Sequence, residues 1–311
     1  MKYLFGPVNS RRLGISLGID LIPHKVCSYN CVYCECGETT DITSDIFELV
    51  PTGEVIDEID MYLKNKPRLD VVTFSGTGEP TLHSGIGRII GHIKKKFPQY
   101  KVAVLTNGSL LWKPVVRKSL EEADVVIPSL DGVTAEVFNS ICRPADGLKP
   151  EKIIDGMVAF RSEFKGEVIV EVFIIPGVND MEAELEKIKE VCRKINPHMI
   201  QLNSMDRPGT EDWVLSSGEE RMVEIKKYFE PLEVEIIGMP AENGQKLSTE
   251  KTGDTFKKII SLLERRPSTF EEICESTGGE RFEVESKLNE LLKRNTVRIE
   301  EQARGKFYVL C

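Results

Sequence analysis

Several features are scarce in this 311-residue chain, and each scarcity removes a class of function. No apolar run approaches the roughly 20 residues needed to cross a bilayer, so a membrane-spanning protein is not expected. Basic residues are outnumbered, 41 Lys and Arg against 50 Asp and Glu, and a net charge of −9 argues against a non-specific grip on nucleic acid by the whole surface. Aromatic residues make up 7%, too few for an extended stacking surface. The four histidines show no metal-ligand spacing, and only His24 stands beside other candidate ligands. The N-terminal run MKYLFGPVNSRRLG has neither an apolar h-region nor a small-residue cleavage site, so no secretory signal and a cytoplasmic location are expected. The remaining composition, 41% hydrophobic and 29% charged, is that of an ordinary globular chain. Its length favours one large domain plus a small one.

Cysteine, by contrast, is plentiful and unevenly placed. Three of the eight cysteines, Cys27, Cys31 and Cys34, fall in the run HKVCSYNCVYC. Such a concentration fits a reducing cytosol and metal ligation better than a disulfide framework. Cys142, Cys192 and Cys274 lie in or beside predicted helices, where a free cysteine behaves as a small buried apolar residue. A structural zinc site wants four closed ligands, and an electron-transfer cubane wants four cysteines. Three close thiolates leave one metal corner open, where a substrate or cofactor can bind. Completion of a zinc site by His24 or Cys36, or three simple buried thiols, are the alternatives at this point.

From residue 13 to about 238, short β-branched runs alternate with longer amphipathic stretches. Predicted strands are Gly14–Asp20, Asp70–Ser75, Lys101–Thr106, Val125–Ser129, Val168–Ile174, Met199–Asn203 and Val234–Ile237. Predicted helices are Gly53–Lys64, Ser84–Phe97, Pro114–Glu122, Thr134–Ile141, Pro150–Phe164, Met181–Ile195 and Gly218–Phe229. Strands separated by helices need crossover connections and a mostly parallel sheet. The near-continuous apolar runs VVTF, VAVL and VIVEVFII suit a sheet covered on both faces. Repeated right-handed crossovers curl such a sheet into a partial or complete (β/α) barrel of the TIM type. Polar and glycine-rich residues cluster just after the strands, in SGTGEP, TNG, SLDG, PGVND and NSMDRPG, at the ends where barrel enzymes build their sites. The expected organisation is a barrel over 1–240, a linker over 241–253 and a small domain over 254–311. In that small domain, three helices and a two-stranded hairpin resemble a winged helix. Ser268 with Glu271 and Glu272 predicts a capping-box start for its second helix.

The cysteine segment, including the aromatic Tyr33 before the last cysteine, resembles the cluster loop of radical S-adenosylmethionine (radical SAM) enzymes. The resemblance implies that Cys27, Cys31 and Cys34 ligate one 4Fe–4S cluster, whose fourth iron is chelated by the methionine amino nitrogen and carboxylate of S-adenosylmethionine. It implies reductive cleavage to a 5′-deoxyadenosyl radical that abstracts a substrate hydrogen, with a one-electron donor such as flavodoxin or ferredoxin as partner. Cys36 is read as non-ligating, because the open iron is needed. Ser75-Gly76-Thr77-Gly78-Glu79-Pro80 resembles the family's Gly-Gly-Glu loop for the methionine ammonium, with Thr77 departing from the usual glycine and Glu79 offering countercharge. Asn107, Ser129 and Asp131 stand where the family places polar contacts to carboxylate and ribose. Ile175 and Gly177, in IIPGVN, match its adenine-flanking strand. The cofactor-binding set is therefore Tyr33, Gly76, Thr77, Gly78, Glu79, Asn107, Ser129, Asp131, Ile175 and Gly177; no catalytic side chain is assigned.

The run GPVNSRRLGISLGID and the trailing GETT resemble relatives of wybutosine-type tRNA-modifying radical SAM proteins, although no second cysteine triad is present. This resemblance implies an RNA substrate, a tRNA base, with Arg11, Arg12 and Asn203 as substrate-binding candidates. Arginine suits bidentate recognition of phosphate or carboxylate, and a structural salt bridge is the competing reading. A small metabolite or a peptide is the alternative substrate. A redox-sensing winged-helix regulator is the alternative of another class, although Glu283, Glu285 and Glu290 on its third helix would repel phosphate.

Overall fold

A computed structural model describes residues 1–23, 25–237, 255–302 and 304–311. His24 and the expected linker 241–253 lie outside the described residues. The chain opens with β1 (Leu4–Ser10) and β2 (Gly14–Ile19), an antiparallel pair with a register shift between Phe5 and Val8. Next comes a long excursion containing β3 (Val26–Cys27) and β4 (Asp41–Ile42), a short parallel pair. A regular alternation follows: α1 (Thr52–Leu63), β5 (Val71–Phe74), α2 (Ile86–Lys96), β6 (Lys101–Thr106), α3 (Pro114–Ser119) and β7 (Val125–Pro128). It continues with α4 (Ala135–Cys142), α5 (Pro150–Glu163), β8 (Glu167–Ile174), α6 (Glu182–Ile195), β9 (Met199–Ser204), α7 (Glu219–Tyr228) and β10 (Val234–Ile236).

The main sheet runs β1-β2-β5-β6-β7-β8-β9-β10, parallel from β2 onward. β1 and β10 are its two edges, so the sheet is open. The predicted strands and helices of this region appear within two residues of their expected bounds, except that α3 ends three residues before Glu122; β1 and the short pair β3 and β4 are not among the predicted strands. The helices press Ile59, Ile90, Ile93, Met157, Phe160 and Ile188 onto one face of the sheet. The opposite face has an apolar floor of Val71, Ala103, Val125 and Ile169, with Met199 packed against it. Because side chains alternate across a strand, residues four further along, Ser75, Asn107, Ser129, Phe173 and Asn203, share the parity of that floor. The polar strand ends therefore stand over the same face as the small apolar floor. This is what positions the site.

A second, separate core joins Ile259, Leu263, Ile273, Val284, Leu288, Leu291 and Val297. Its elements are α8 (Thr255–Leu263), β11 (Ser268–Thr269), α9 (Phe270–Thr277), α10 (Arg281–Lys293), β12 (Val297–Gln302) and β13 (Gly305–Leu310). The three strands form an antiparallel sheet in the order β11-β13-β12. The capping box forms one residue later than predicted: Thr269 and Glu272 exchange the two bonds, while Ser268 lies in β11. Thr269 has the extended backbone an N-cap needs, which the β11–β13 pairing supplies. Among the described residues no helix is long and apolar enough to cross a membrane.

Candidate active site

The segment after β2 is clamped between and beyond its cysteines. Its backbone bonds to the end of α4 through Asn30 to Cys142 and Arg143 and through Val32 to Ile141. Thr39 ties it internally, its amide to Asn30 Oδ1 and its hydroxyl to the Tyr29 carbonyl. On this frame Cys27, Cys31 and Cys34 are all partly exposed and unpaired. Asn107 Nδ2 reaches Ser28 Oγ at 2.9 Å and Cys27 Sγ at 3.6 Å. Lys25 Nζ lies 3.0 Å from Cys34 Sγ. Burial pushes the Cys27 thiol well up, and the charges of Glu79 and Cys31 add to it. Cys34 moves the other way, lowered by its hydrogen bond with Cys36 and by Lys25 against the effect of burial. Cys36 Sγ lies 3.0 Å from the Arg265 carbonyl and 3.4 Å from the Gly76 carbonyl, two acceptors within reach of its single proton.

The loop Ser75–Pro80 packs edge-on against this segment. A Cβ on Gly78 would lie 1.9 Å from the Val26 carbonyl oxygen, and one on Gly76, at φ +147°, would lie 2.2 Å from the Asp20 carboxyl carbon. Both glycines are thus required by loop-on-loop packing. Thr77 makes use of the side chain that a glycine would lack: its hydroxyl donates to the Ile22 carbonyl at 3.0 Å and its amide meets Asp20 Oδ2 at 3.3 Å. Glu79 corrects an expectation. Its carboxylate is 2% exposed and accepts from the Thr81 amide and hydroxyl, the Thr106 hydroxyl and the Asn107 amide at 2.6–3.0 Å. Burial raises its pKa and these four bonds oppose the rise. The carboxylate therefore organises the ends of β5 and β6 instead of offering a free countercharge.

The next loops divide in the same way. Asp131 is buried and accepts from Tyr33 Oη at 2.5 Å and from the Phe173 amide at 2.8 Å; desolvation lifts it to about 7. Tyr33 in turn stacks on Phe173 with centroids 3.9 Å apart. Asp131, expected to make a polar contact to the cofactor, is thus hydrogen-bonded to Tyr33, the aromatic residue before the last cysteine. Ser129 bridges to Glu171 in the neighbouring strand. Asn179 closes the loop that holds Ile175 and Gly177, accepting from the Ile175 amide at 2.7 Å and donating to the Asp131 and Phe173 carbonyls. Gly177, at φ +75°, is on the exposed turn with open space around it.

Both arginines make the competing structural contacts. Arg11 pairs with Asp206 at 3.0 Å and Glu35 at 3.7 Å, and Arg12 with Glu171 at 2.7 Å. Asn203 Nδ2 donates to the same Glu171 carboxylate at 3.0 Å. Glu171 was missed by sequence reasoning, although a lone charge inside VIVEVFII was a visible signal. The C-terminal elements also enter the site unannounced. Arg265 pairs with Asp20 at 3.3 Å beneath Thr77 and lies over the Phe5 ring. Arg207, 2% exposed, makes two 2.6 Å bonds to Glu272 of α9.

Comparison with known proteins decides the family. The Radical SAM superfamily model matches residues 21–190, which includes the cysteine segment and the strands from β5 to β8. The chain belongs to the Radical SAM superfamily. It is accordingly an enzyme that uses a 4Fe–4S cluster and S-adenosylmethionine. A UPF0026 protein of Helicobacter pylori is 34% identical over 274 residues, covering 88% of this chain and 87% of that protein. A Brachyspira hyodysenteriae protein named GTPase Obg is 39% identical over 294 residues, 94% of this chain; the chain spans 42% of that protein's length. Among solved structures, TYW1 with a lysine-pyruvate adduct bound matches at a TM-score of 0.52 and 18% identity, over 74% of this chain and 76% of that one. That likeness is one of fold.

For a Radical SAM enzyme the donor set fits in a particular way. Among the described residues no three Cys, His, Asp or Glu side chains surround one point closely enough for a single ion. A cubane asks for something else, since each thiolate meets its own iron. Three open thiols on one short loop, with a buried ammonium beside the third, satisfy that requirement.

Proposed function

We propose that Cys27, Cys31 and Cys34 hold the cluster, with its fourth iron left to S-adenosylmethionine, and that the enzyme abstracts a hydrogen from RNA, a tRNA base. The observation that carries the first half is Cys36. It is the one further cysteine of the loop, and its thiol packs against the Gly76 and Arg265 carbonyls and hydrogen-bonds Cys34, so it supports a ligand in place of being a fourth one. When bound and reduced, the cluster supplies the electron that splits S-adenosylmethionine to a 5′-deoxyadenosyl radical. The chain's own residues shape the surroundings. Asn107 orients the Cys27 end through Ser28 and Cys27. The Gly76-Thr77-Gly78 backbone, backed by Asp20, gives the methionine ammonium a glycine-flanked approach. The partial (β/α) barrel, described over residues 1–23 and 25–237, would enclose the reacting atoms from one side. The C-terminal domain, described over residues 255–302 and 304–311 and of winged-helix type, would present a surface for a large partner.

The RNA reading rests on the tRNA-modifying resemblance and on the added C-terminal module. A one-electron donor of the flavodoxin or ferredoxin class delivers the electron. Anaerobically reconstituted protein with reductant, labelled S-adenosylmethionine and a total tRNA pool tests it, read as label exchange between nucleosides and 5′-deoxyadenosine. Transfer to one nucleoside is expected. Deoxyadenosine formation that ignores tRNA and responds to a peptide or metabolite fraction would remove the RNA half and leave the cluster assignment standing.

A further inference from the structure

Lys25 is among the largest fully buried side chains of the protein, 2% exposed, two positions before the first cysteine of the cluster loop. Its backbone is pinned by Thr40, whose hydroxyl accepts from the Lys25 amide at 3.0 Å and donates to its carbonyl at 2.9 Å. Its ammonium donates to the Gly37 carbonyl and to Cys34 Sγ. Among the described residues no carboxylate pairs with it, although the chain carries 50 acidic residues. Glu35, the nearest in sequence to Cys34, is turned to Arg11 and Arg207 instead. Burying an ammonium without a counter-ion costs several kcal/mol, so a protein that keeps one here has a negative charge to set against it.

We propose that Lys25 is the built-in counter-charge of the cluster, donating a charge-assisted N–H···S bond to the Cys34 thiolate and thereby raising the cluster's reduction potential. This rests on Cys34 being a ligand. Reduction adds one electron, from the low-potential donor, to a group that is already anionic through its three thiolates. A fixed positive charge at hydrogen-bond distance stabilises the reduced form more than the oxidised one, and hydrogen bonds to sulfur and local net charge are the terms that set such potentials. Lys25 is thus a positioning and tuning residue; it touches a ligand and need not touch the substrate.

The test is the midpoint potential of the reconstituted cluster, followed by electron paramagnetic resonance in a mediated titration of wild type, Lys25→Met and Lys25→Arg. Methionine keeps the stem length and removes the charge; arginine keeps the charge. With four irons bound, Lys25→Met is expected to lose at least tenfold in affinity for the electron, a shift of about 59 mV to more negative potential, and Lys25→Arg to stay near wild type. A fully loaded Lys25→Met with an unchanged midpoint overturns the proposal. If Lys25→Met holds no iron, Lys25→Arg decides. Retention in the arginine variant, with both apo-proteins unfolding at the wild-type temperature, supports the charge role; loss from both overturns it. Failure of the ligand assignment looks different, since Cys34→Ala, which offers no donor atom, would then keep all four irons.

Discussion

The main sheet and the C-terminal segment contribute to one site in opposite ways. Every candidate residue read from the sequence lies at or before Asn203. Each was found through local pattern, as a motif or a polar break after a strand. The segment from Thr255 onward carries no such motif, yet Arg265 reaches Asp20 beneath Thr77 and lends its carbonyl to Cys36. Arg304 pairs with both Asp206 and Glu272, and Arg207 is buried between the two regions. The chemistry is therefore announced locally, and its support comes from a distant part of the chain. A truncate without residues 255–311 is expected to lose order in the Ser75–Pro80 loop, not merely partner recognition.

The largest test of this division is all or none. Cys31→Ala is expected to abolish cluster binding and 5′-deoxyadenosine formation, while Cys36→Ala keeps the iron; iron analysis and product chromatography read both. Arg207→Ala comes next. It removes two bonds from Glu272 while Arg304 keeps its own pair with that carboxylate, so the loss should fall below the about 3–5 kcal/mol of a fully broken buried pair. The result should be an early unfolding transition for the C-terminal segment in calorimetry, with the main sheet melting later. Unfolding as a single unchanged transition would show that the two regions do not depend on this contact.

Gly78→Ala should be smaller. Its added methyl meets the Val26 carbonyl, and relief of such overpacking costs about 1–3 kcal/mol. Because Val26 precedes Cys27, slower cluster uptake in timed reconstitution is expected together with the lost stability. Normal uptake would mean that the loop yields without moving the cysteine.

The smallest effect over any one pH unit, at most about 1.4 kcal/mol per group, has opposite signs in the two regions. Burial raises Glu272, but its bonds to Arg207 and the charge of Arg266 outweigh burial and hold it at about 2. Its contribution is present above the ordinary carboxylate range and is lost as pH falls through about 2. Asp131 is lifted to about 7 by desolvation, so its contribution is complete in acid and is lost as pH rises through about 7. Denaturant unfolding across pH should show the first slope vanish in Glu272→Gln and the second in Asp131→Asn.

Much of this was legible in the sequence because strand and helix periods are local signals. The seven parallel strands and the cysteine loop followed from them. β1 did not, since Gly6 and Pro7 interrupt LFGPVNS as loop punctuation does; the strand is an edge with a register shift, where proline is tolerated. The capping residue slipped from Ser268 to Thr269 because pairing with β13 sets the backbone there. Glu79 and Asp131 were assigned outward roles, since a sequence does not show that Thr106, Asn107, Tyr33 and Phe173 converge on them. Lys25 was passed over for the same reason. One lysine among 41 basic residues is unremarkable until its burial is seen.

The central claim is a cluster held by three thiolates with one iron open to S-adenosylmethionine. Electron–nuclear double resonance of the reduced, reconstituted protein with methionine-nitrogen-labelled S-adenosylmethionine tests it most directly. The account predicts a coupling between the labelled nitrogen and the cluster, absent without the cosubstrate and unchanged in Cys36→Ala. A four-iron cluster with no such coupling, or one whose coupling appears only when Cys36 is removed, would contradict it.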